Sequence, residues 1–117
     1  MSNIKKGKQG EEIACKYLQE LGYTIIERNI HFSRYCELDI LALDKKKTLI
    51  AIEVKTRSNN YCGTPFEAIT KQKYNNIKTG LYTYLNNHPE YKSFQIDAIS
   101  IILFPKISIE HLKNISI

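Results

Sequence analysis

The chain is 117 residues long, 43% hydrophobic and 25% charged, with 5 glycines and 3 prolines. That composition predicts one globular domain over residues 1–117; a chain of this size buries about two-thirds of its unfolded surface, which excludes dependence on a disulfide or structural metal, and low-complexity or collagen-like organisation is excluded as well. Lys and Arg number 17 against 12 Asp and Glu, a formal net charge of +5, which suits a polyanion such as nucleic acid but says nothing by itself about fold.

In chain order, Ile13, Ala14, Tyr17, Leu18 and Leu21 recur at three and four residues and predict a helix over 8–21, with Gly22 at its C-cap. Residues 23–29 read as a strand whose faces Ile25 and Ile26 are too few to fix. Two apolar-rich runs, 37–43 and 48–55, flank the polar turn Asp44, Lys45, Lys46, Lys47 and predict a hairpin. A polar, glycine-ended loop over 58–63 leads into Thr64, Pro65, Phe66 and Glu67, the spacing of a capping box with proline at the first helical position. Helical spacing then runs to about residue 86, with a second cap available at Thr70. The apolar, β-branched run 94–103 predicts a strand, Pro105 interrupts, and 107–112 suits a short edge strand. The order αβββαββ points to an α/β fold, a sheet flanked by helices.

Cys15, Cys36 and Cys62 are odd in number and lack CxxC or histidine-paired spacing, so neither a disulfide framework nor a zinc site is expected and the compartment reads as reducing. Residues 1–10 carry lysine and no apolar stretch follows, which predicts a cytoplasmic protein without a membrane partner.

The informative charges are those in apolar strands. In 48–55, Ile50, Ile52 and Val54 share one face while Leu49, Ala51, Glu53 and Lys55 share the other. A strand apolar on both faces is usually covered on both, which puts Glu53 and Lys55 at the end of an interior strand. The preceding strand mirrors it, with Leu38, Ile40 and Ala42 on one side and Glu37, Asp39, Leu41 and Leu43 on the other. An antiparallel register that keeps like faces together sets Leu43 opposite Leu49, Leu41 opposite Ala51, Asp39 opposite Glu53 and Glu37 opposite Lys55. Opposed Cβ atoms lie about 4.5 to 5.5 Å apart, a distance at which two unpaired carboxylates destabilise each other. A hard divalent cation, Mg²⁺ or Mn²⁺, resolves the conflict, because it takes oxygen ligands from one or two carboxylates and keeps waters for a substrate phosphate. On the first helix Glu11 falls about 20° from Leu18 and reaches inward, whereas Glu12 points away. Two plainer readings stand beside these: a solvated salt-bridge ladder for the hairpin, and a helix N-terminal acid favoured by the helix dipole for Glu11.

An acid on the first helix, Asp39 on one strand and Glu53-Val54-Lys55 on the next together resemble the PD-(D/E)xK nuclease superfamily. Gly10-Glu11-Glu12-Ile13-Ala14, Tyr17-Leu18, Gly22-Tyr23, Arg28-Asn29, Glu37-Leu38-Asp39-Ile40, Glu53-Val54-Lys55-Thr56-Arg57 and Phe66-Glu67-Ala68-Ile69 resemble the small bacterial YraN-like family, over about residues 6–102. The resemblance implies a restriction-endonuclease-like core, a mixed sheet of about five strands, related to Holliday junction resolvases. It implies Asp39 and Glu53 as metal ligands, Lys55 as catalytic lysine, Glu11 as the helix-borne acid completing the site, and Glu37 as a supporting acid behind them. Cys36 stands where the family usually has glycine, a departure that replaces no implied ligand.

The implied activity is Mg²⁺- or Mn²⁺-dependent endonucleolytic hydrolysis of DNA phosphodiesters, branched or Holliday-junction DNA included. Lys5, Lys6 and Lys8 before the helix, Arg57 after the motif strand, and Lys71, Lys73 and Lys78 on the second helix are candidate nucleic-acid contacts, the alternative being plain solvated surface. Tyr35 and Tyr61, in predicted loops, could stack on bases or merely cap a core. A homodimer would suit a four-way junction, which presents two symmetric scissile strands, yet no dimer surface is legible. The P-loop spacing is absent, His31, His88 and His111 show no partner pattern, and Asp97 in its apolar strand reads as structural. The rival reading is a non-catalytic nucleic-acid-binding or protein-interaction module that retains the fold; a third is a purely structural acid cluster.

Overall fold

The computed structural model describes residues 3–34, 36–59 and 69–116. Its elements run α1 (Asn3–Glu20), β1 (Thr24–His31), β2 (Glu37–Leu43), β3 (Thr48–Arg57), α2 (Lys71–Asn87), β4 (Ser93–Ile102) and β5 (Ser108–Leu112). The strands form one five-stranded sheet in the order β1-β2-β3-β4-β5. All neighbours pair antiparallel except β3 and β4, which are parallel; a parallel pair needs a crossover, and the connection between them carries α2. The sequence-predicted α/β order with a mixed sheet is therefore what the chain adopts, and it fits a restriction-endonuclease-like core.

The two faces of the sheet bury two separate cores. Ala14, Cys15 and Leu18 of α1 pack on Ile40, Ala42, Ile50 and Ile52, whereas Ile77, Leu81 and Tyr84 of α2 pack on Leu41, Leu49 and Ala51. β3 is thus covered on both sides, as its doubly apolar pattern requires. Ile25 joins the α1 core and Ile26 the α2 core, with a register shift between Ile25 and Glu27.

α1 starts at Asn3, ahead of the sequence expectation, because its polar first turns carry no apolar periodicity. At its other end Gly22 adopts φ +95°, while Tyr23 donates to the Leu18 carbonyl at 3.0 Å and Gly22 to the Gln19 carbonyl at 3.0 Å. This is a Schellman cap, in which the left-handed residue is cheapest as glycine. Gly10 sets how closely α1 approaches the sheet: a Cβ there would fall 2.8 Å from the Thr56 Cβ. α2 starts after Thr70, whose side chain accepts the Lys73 amide at 3.1 Å. The capping box at Thr64–Glu67, and Tyr35, Tyr61 and Cys62, lie outside the described residues.

The β2–β3 turn is closed by Asp44, whose Oδ1 accepts the Lys46 and Thr48 amides, each at 2.9 Å. Leu43 opposes Leu49 and Leu41 opposes Ala51, as the face-matching argument requires, and the ladder continues to Ile40 opposite Ile52. There it stops. Beyond that pair the Asp39 carboxylate itself takes the Val54 amide, at 2.9 Å. Three sequence expectations that presumed a continuing ladder are corrected here: Asp39 and Glu53 are not ladder partners, and their carboxyl groups interact beyond the last paired residues. Glu37 is not paired with Lys55 but faces His31 of β1, with Oε2 3.4 Å from Nδ1, and Leu38 packs in the α2 core instead of beside Ile40. Among the described residues no helix is long and apolar enough to cross a membrane.

Candidate active site

Where β2 and β3 part, the end of the sheet opens into a cavity of about 740 Å³. Lys6, Gly7 and Glu11 of α1 form one wall, Asp39 comes from β2, and Glu53 to Arg57 come from β3, followed by Ser58 and Asn59. This last segment is fixed from behind, because Leu103 donates to the Arg57 carbonyl at 3.0 Å and Phe104 to the Ser58 carbonyl at 2.8 Å. An acid on the strand next to β3 and an acid on the helix covering its opposite face can meet only at such an open end.

Asp39 is buried and Glu53 keeps only 12% of its side chain exposed. Burial pushes the Glu53 carboxyl up to about 8, reinforced by the Asp39 charge and only partly opposed by Lys73, whose Nζ lies 3.5 Å from Oε1. Burial likewise raises Asp39, against the Val54 amide and the Lys73 charge. Desolvation and two neighbouring charges of one sign act in the same direction here, so the pair resists carrying two negative charges without a cation.

Glu11 lies well inside α1, so the helix-dipole reading, which needs a first-turn residue, does not apply. Its side chain is 18% exposed, and its carboxyl is raised by burial and by Asp39 while a side-chain hydrogen bond from Asn29 opposes the rise. Asn29 has φ +53° within β1, a left-handed conformation that asparagine tolerates better than most residues. Arg28 approaches Glu11 at 3.9 Å and grips Glu12 at 2.6 Å. Glu12 therefore points outward, and its carboxyl is held down by the Arg28 hydrogen bond and charge.

Among the sequence-predicted site residues, the structure brings Glu11, Asp39, Glu53 and Lys55 to one cavity and adds Lys6 and Arg57 to its walls. Glu37 lies outside the wall and acts on Asp39 and Glu11 only as a repelling charge. Lys5 and Lys8 are exposed on α1, and Lys71 and Lys78 on α2. Lys73 turns to Glu53. The motif string contains Arg28 and Asn29 but assigns them no role; their signal in the sequence is a polar pair interrupting a strand pattern. Among the described residues no three His, Cys, Asp or Glu side chains converge closely enough to hold an ion by themselves. The oxygen-only Asp39–Glu53 pair fits Mg²⁺ or Mn²⁺, which take one or two carboxylates and fill the remaining positions with water and substrate oxygens.

The UPF0102 profile, described as an uncharacterised protein family, matches residues 10–101, a span containing Glu11, Asp39, Glu53 and Lys55. The chain belongs to UPF0102. This is the YraN family that the motif string resembles. A UPF0102 protein of Syntrophomonas wolfei is 39% identical over 114 residues, 96% of this chain and 97% of its own. The UPF0102 protein of Desulforamulus reducens is 36% identical over 111 residues, covering 93% and 90%. That of Dictyoglomus turgidum is 38% identical over 118 residues, covering 97% and 98%. The likeness to UPF0102 thus extends over nearly the whole length of each relative.

Proposed function

We propose that the protein is a Mg²⁺- or Mn²⁺-dependent endonuclease that hydrolyses DNA phosphodiesters, with branched or junction DNA as the substrate class suggested by its resemblance to junction resolvases. The observation that carries this reading is the convergence of the buried Asp39 carboxylate with the largely enclosed Glu53 carboxylate, whose pKa is pushed up to about 8, in a cavity walled by Lys6, Lys55 and Arg57. A surface ion-pair ladder would leave those acids solvated and in their ordinary range.

Asp39 and Glu53 would hold the ion, with Glu11 on the adjoining wall. A bound Mg²⁺ or Mn²⁺ supplies Lewis-acid polarisation of a phosphoryl oxygen and water of lowered pKa. Lys55 borders the same space, where its ammonium would orient the attacking water or stabilise negative charge growing on the phosphorus oxygens. Lys6 and Arg57 grip the flanking phosphates, contacts that position a strand without reading its sequence. The Val54 amide fixes the Asp39 carboxylate and so sets the separation of the pair.

The test is cleavage of duplex, single-stranded and four-way-junction DNA with Mn²⁺ by wild type, Asp39→Ala and Glu53→Ala. Loss of cleavage in both variants supports the reading, and equal activity in all three proteins overturns it. The second reading, a nucleic-acid-binding module without catalysis, is favoured by one observation: the described acids do not close into a group of three. Calorimetric Mn²⁺ binding that disappears in Asp39→Ala would argue against it.

A further inference from the structure

At the other end of α2 from Glu53, two aromatic side chains stand in solvent. Tyr82 is 43% exposed and Phe94 46% exposed, and their rings meet edge to face at 87° with centroids 5.5 Å apart. Lys78 holds its ammonium 5.9 Å from the Tyr82 ring centre. These residues border a shallow cavity of about 110 Å³ whose lining contains no acidic side chain.

The helix that carries Tyr82 and Lys78 is itself distinctive. In a chain with 12 Asp and Glu, the seventeen residues of α2 include none, and its exposed positions are Lys, Gln, Asn, Thr and Tyr. Lys71, Asn75, Lys78 and Tyr82 recur at four, three and four residues, so they follow one stripe along the helix. The stripe begins in the same turn of α2 as Lys73, which touches Glu53 from the opposite side of the helix. Tyr82 lies nine positions after Lys73, an axial rise of about 14 Å at 1.5 Å per residue. The sheet gives a matching span: Phe94 pairs with Leu49, four residues before Glu53 on β3, or about 13 Å.

We propose that Tyr82 and Phe94 form a stacking site for an unpaired base, at the end of a phosphate track that runs along the exposed side of α2 from its first turn. A spacing of about 14 Å is about four stacked nucleotide steps at 3.4 Å each along one strand. Lys71 and Lys78 take the phosphates, and the two rings offer π faces to a base of any identity. A base paired within a duplex keeps its faces against its neighbours, so the site selects strands with unpaired nucleotides. The inference rests on the nucleic-acid reading above and deepens it, because it names single-stranded or branch-adjacent DNA as the form the protein grips.

The experiment is fluorescence anisotropy in EDTA, with fluorescein-labelled oligothymidylate and a blunt duplex of the same length as probes. Tyr82→Ala and Phe94→Ala should each weaken oligothymidylate binding by about fivefold or more, leave duplex binding within about twofold, and leave the melting temperature near wild type. Tyr82→Phe, which keeps a ring, should restore oligothymidylate binding. The inference is overturned if wild type does not bind oligothymidylate, if both alanine variants bind it as wild type does, or if both probes weaken in parallel. A wild-type dimer that Tyr82→Ala dissociates would overturn it too, by making the patch a self-association surface. Because no metal is present, failure here and failure of cleavage are separate results: selective binding without cleavage sinks only the nuclease reading, and cleavage without selective binding sinks only the stacking site.

Discussion

Lys73 on α2 places its ammonium 3.5 Å from the Glu53 carboxylate, so the most perturbed acid of the cavity is met by a cation from the helix covering that face of the sheet. The two are not evenly matched. Burial and Asp39 still keep the Glu53 carboxyl near 8, which makes the metal-free protein pH-sensitive in a direction that follows from linkage.

Between the ordinary glutamate value and about 8, the folded state holds a proton on Glu53 that the unfolded chain has already released. Folded stability therefore falls as pH rises through that window. In EDTA, the melting temperature should drop between pH 5 and pH 8. The drop should amount to several degrees, since 1 kcal/mol corresponds to about 4 to 8 °C in domains slightly smaller than this one. Glu53→Gln should flatten the curve and melt higher than wild type at pH 8. A wild-type curve that rises over the same range would show that Glu53 is not buried as described.

Removing the neighbouring cation should favour a divalent one. Lys73→Met should tighten Mn²⁺ binding measured by calorimetry by about two- to fivefold, the scale expected for a half-exposed ion pair. Glu53→Gln should abolish it. Unchanged affinity in Lys73→Met would mean that the ammonium does not bear on the donor pair.

Gly10 is a packing requirement instead of a flexible joint. Gly10→Ala would drive its methyl into the Thr56 side chain and should cost about 1 to 3 kcal/mol in urea denaturation, the range for overpacked sites. The double variant Gly10→Ala with Thr56→Ala should recover part of that loss, since contacting sites are not additive. Strict additivity would place the strain elsewhere.

A fully buried acid lies away from the cavity. Asp97 accepts from Gln95 Nε2 at 2.9 Å and from the Asn114 amide at 2.8 Å, and its Oδ2 lies 2.8 Å from His111 Nε2. Asp97→Ala strands these partners in the interior and should cost about 3 kcal/mol or more of unfolding free energy. Asp97→Asn, which keeps one oxygen acceptor, should lose less. Chemical denaturation of the two variants separates these outcomes.

Much of this was legible in the sequence, for identifiable reasons. The β2–β3 register could be derived because apolar residues on both faces of both strands leave one alignment that keeps like with like, and a polar turn fixed its origin. Glu11 could be aimed inward from its angle to Leu18. The failures occur where a ladder or a periodicity ends. Glu37 was matched with Lys55 because alternation carries no mark for the point at which strands diverge, and residues 3–7 were missed as helix because polar turns have no apolar period. The His111–Asp97 contact was out of reach because the two are fourteen residues apart on separate strands; the available hint was an acid in a β-branched run, which needs a donor if buried. The sequence makes Lys73 a candidate nucleic-acid contact alongside Lys71 and Lys78 and gives no sign of its contact with Glu53, since only the fold brings the first turn of α2 to the end of β3.

The Asp97–His111 contact also governs how α1 is held. Tyr17 of α1 places its hydroxyl 3.0 Å from His111 Nδ1, on the strand at the far edge of the sheet. Six residues earlier, about 9 Å along the same rod, stands Glu11. The helix is moored at an edge strand and delivers its acid from the opposite half, like a beam clamped at one support and loaded at the other. The set of the cavity wall is consequently trimmed from β5, a strand that contributes no residue to the cavity itself.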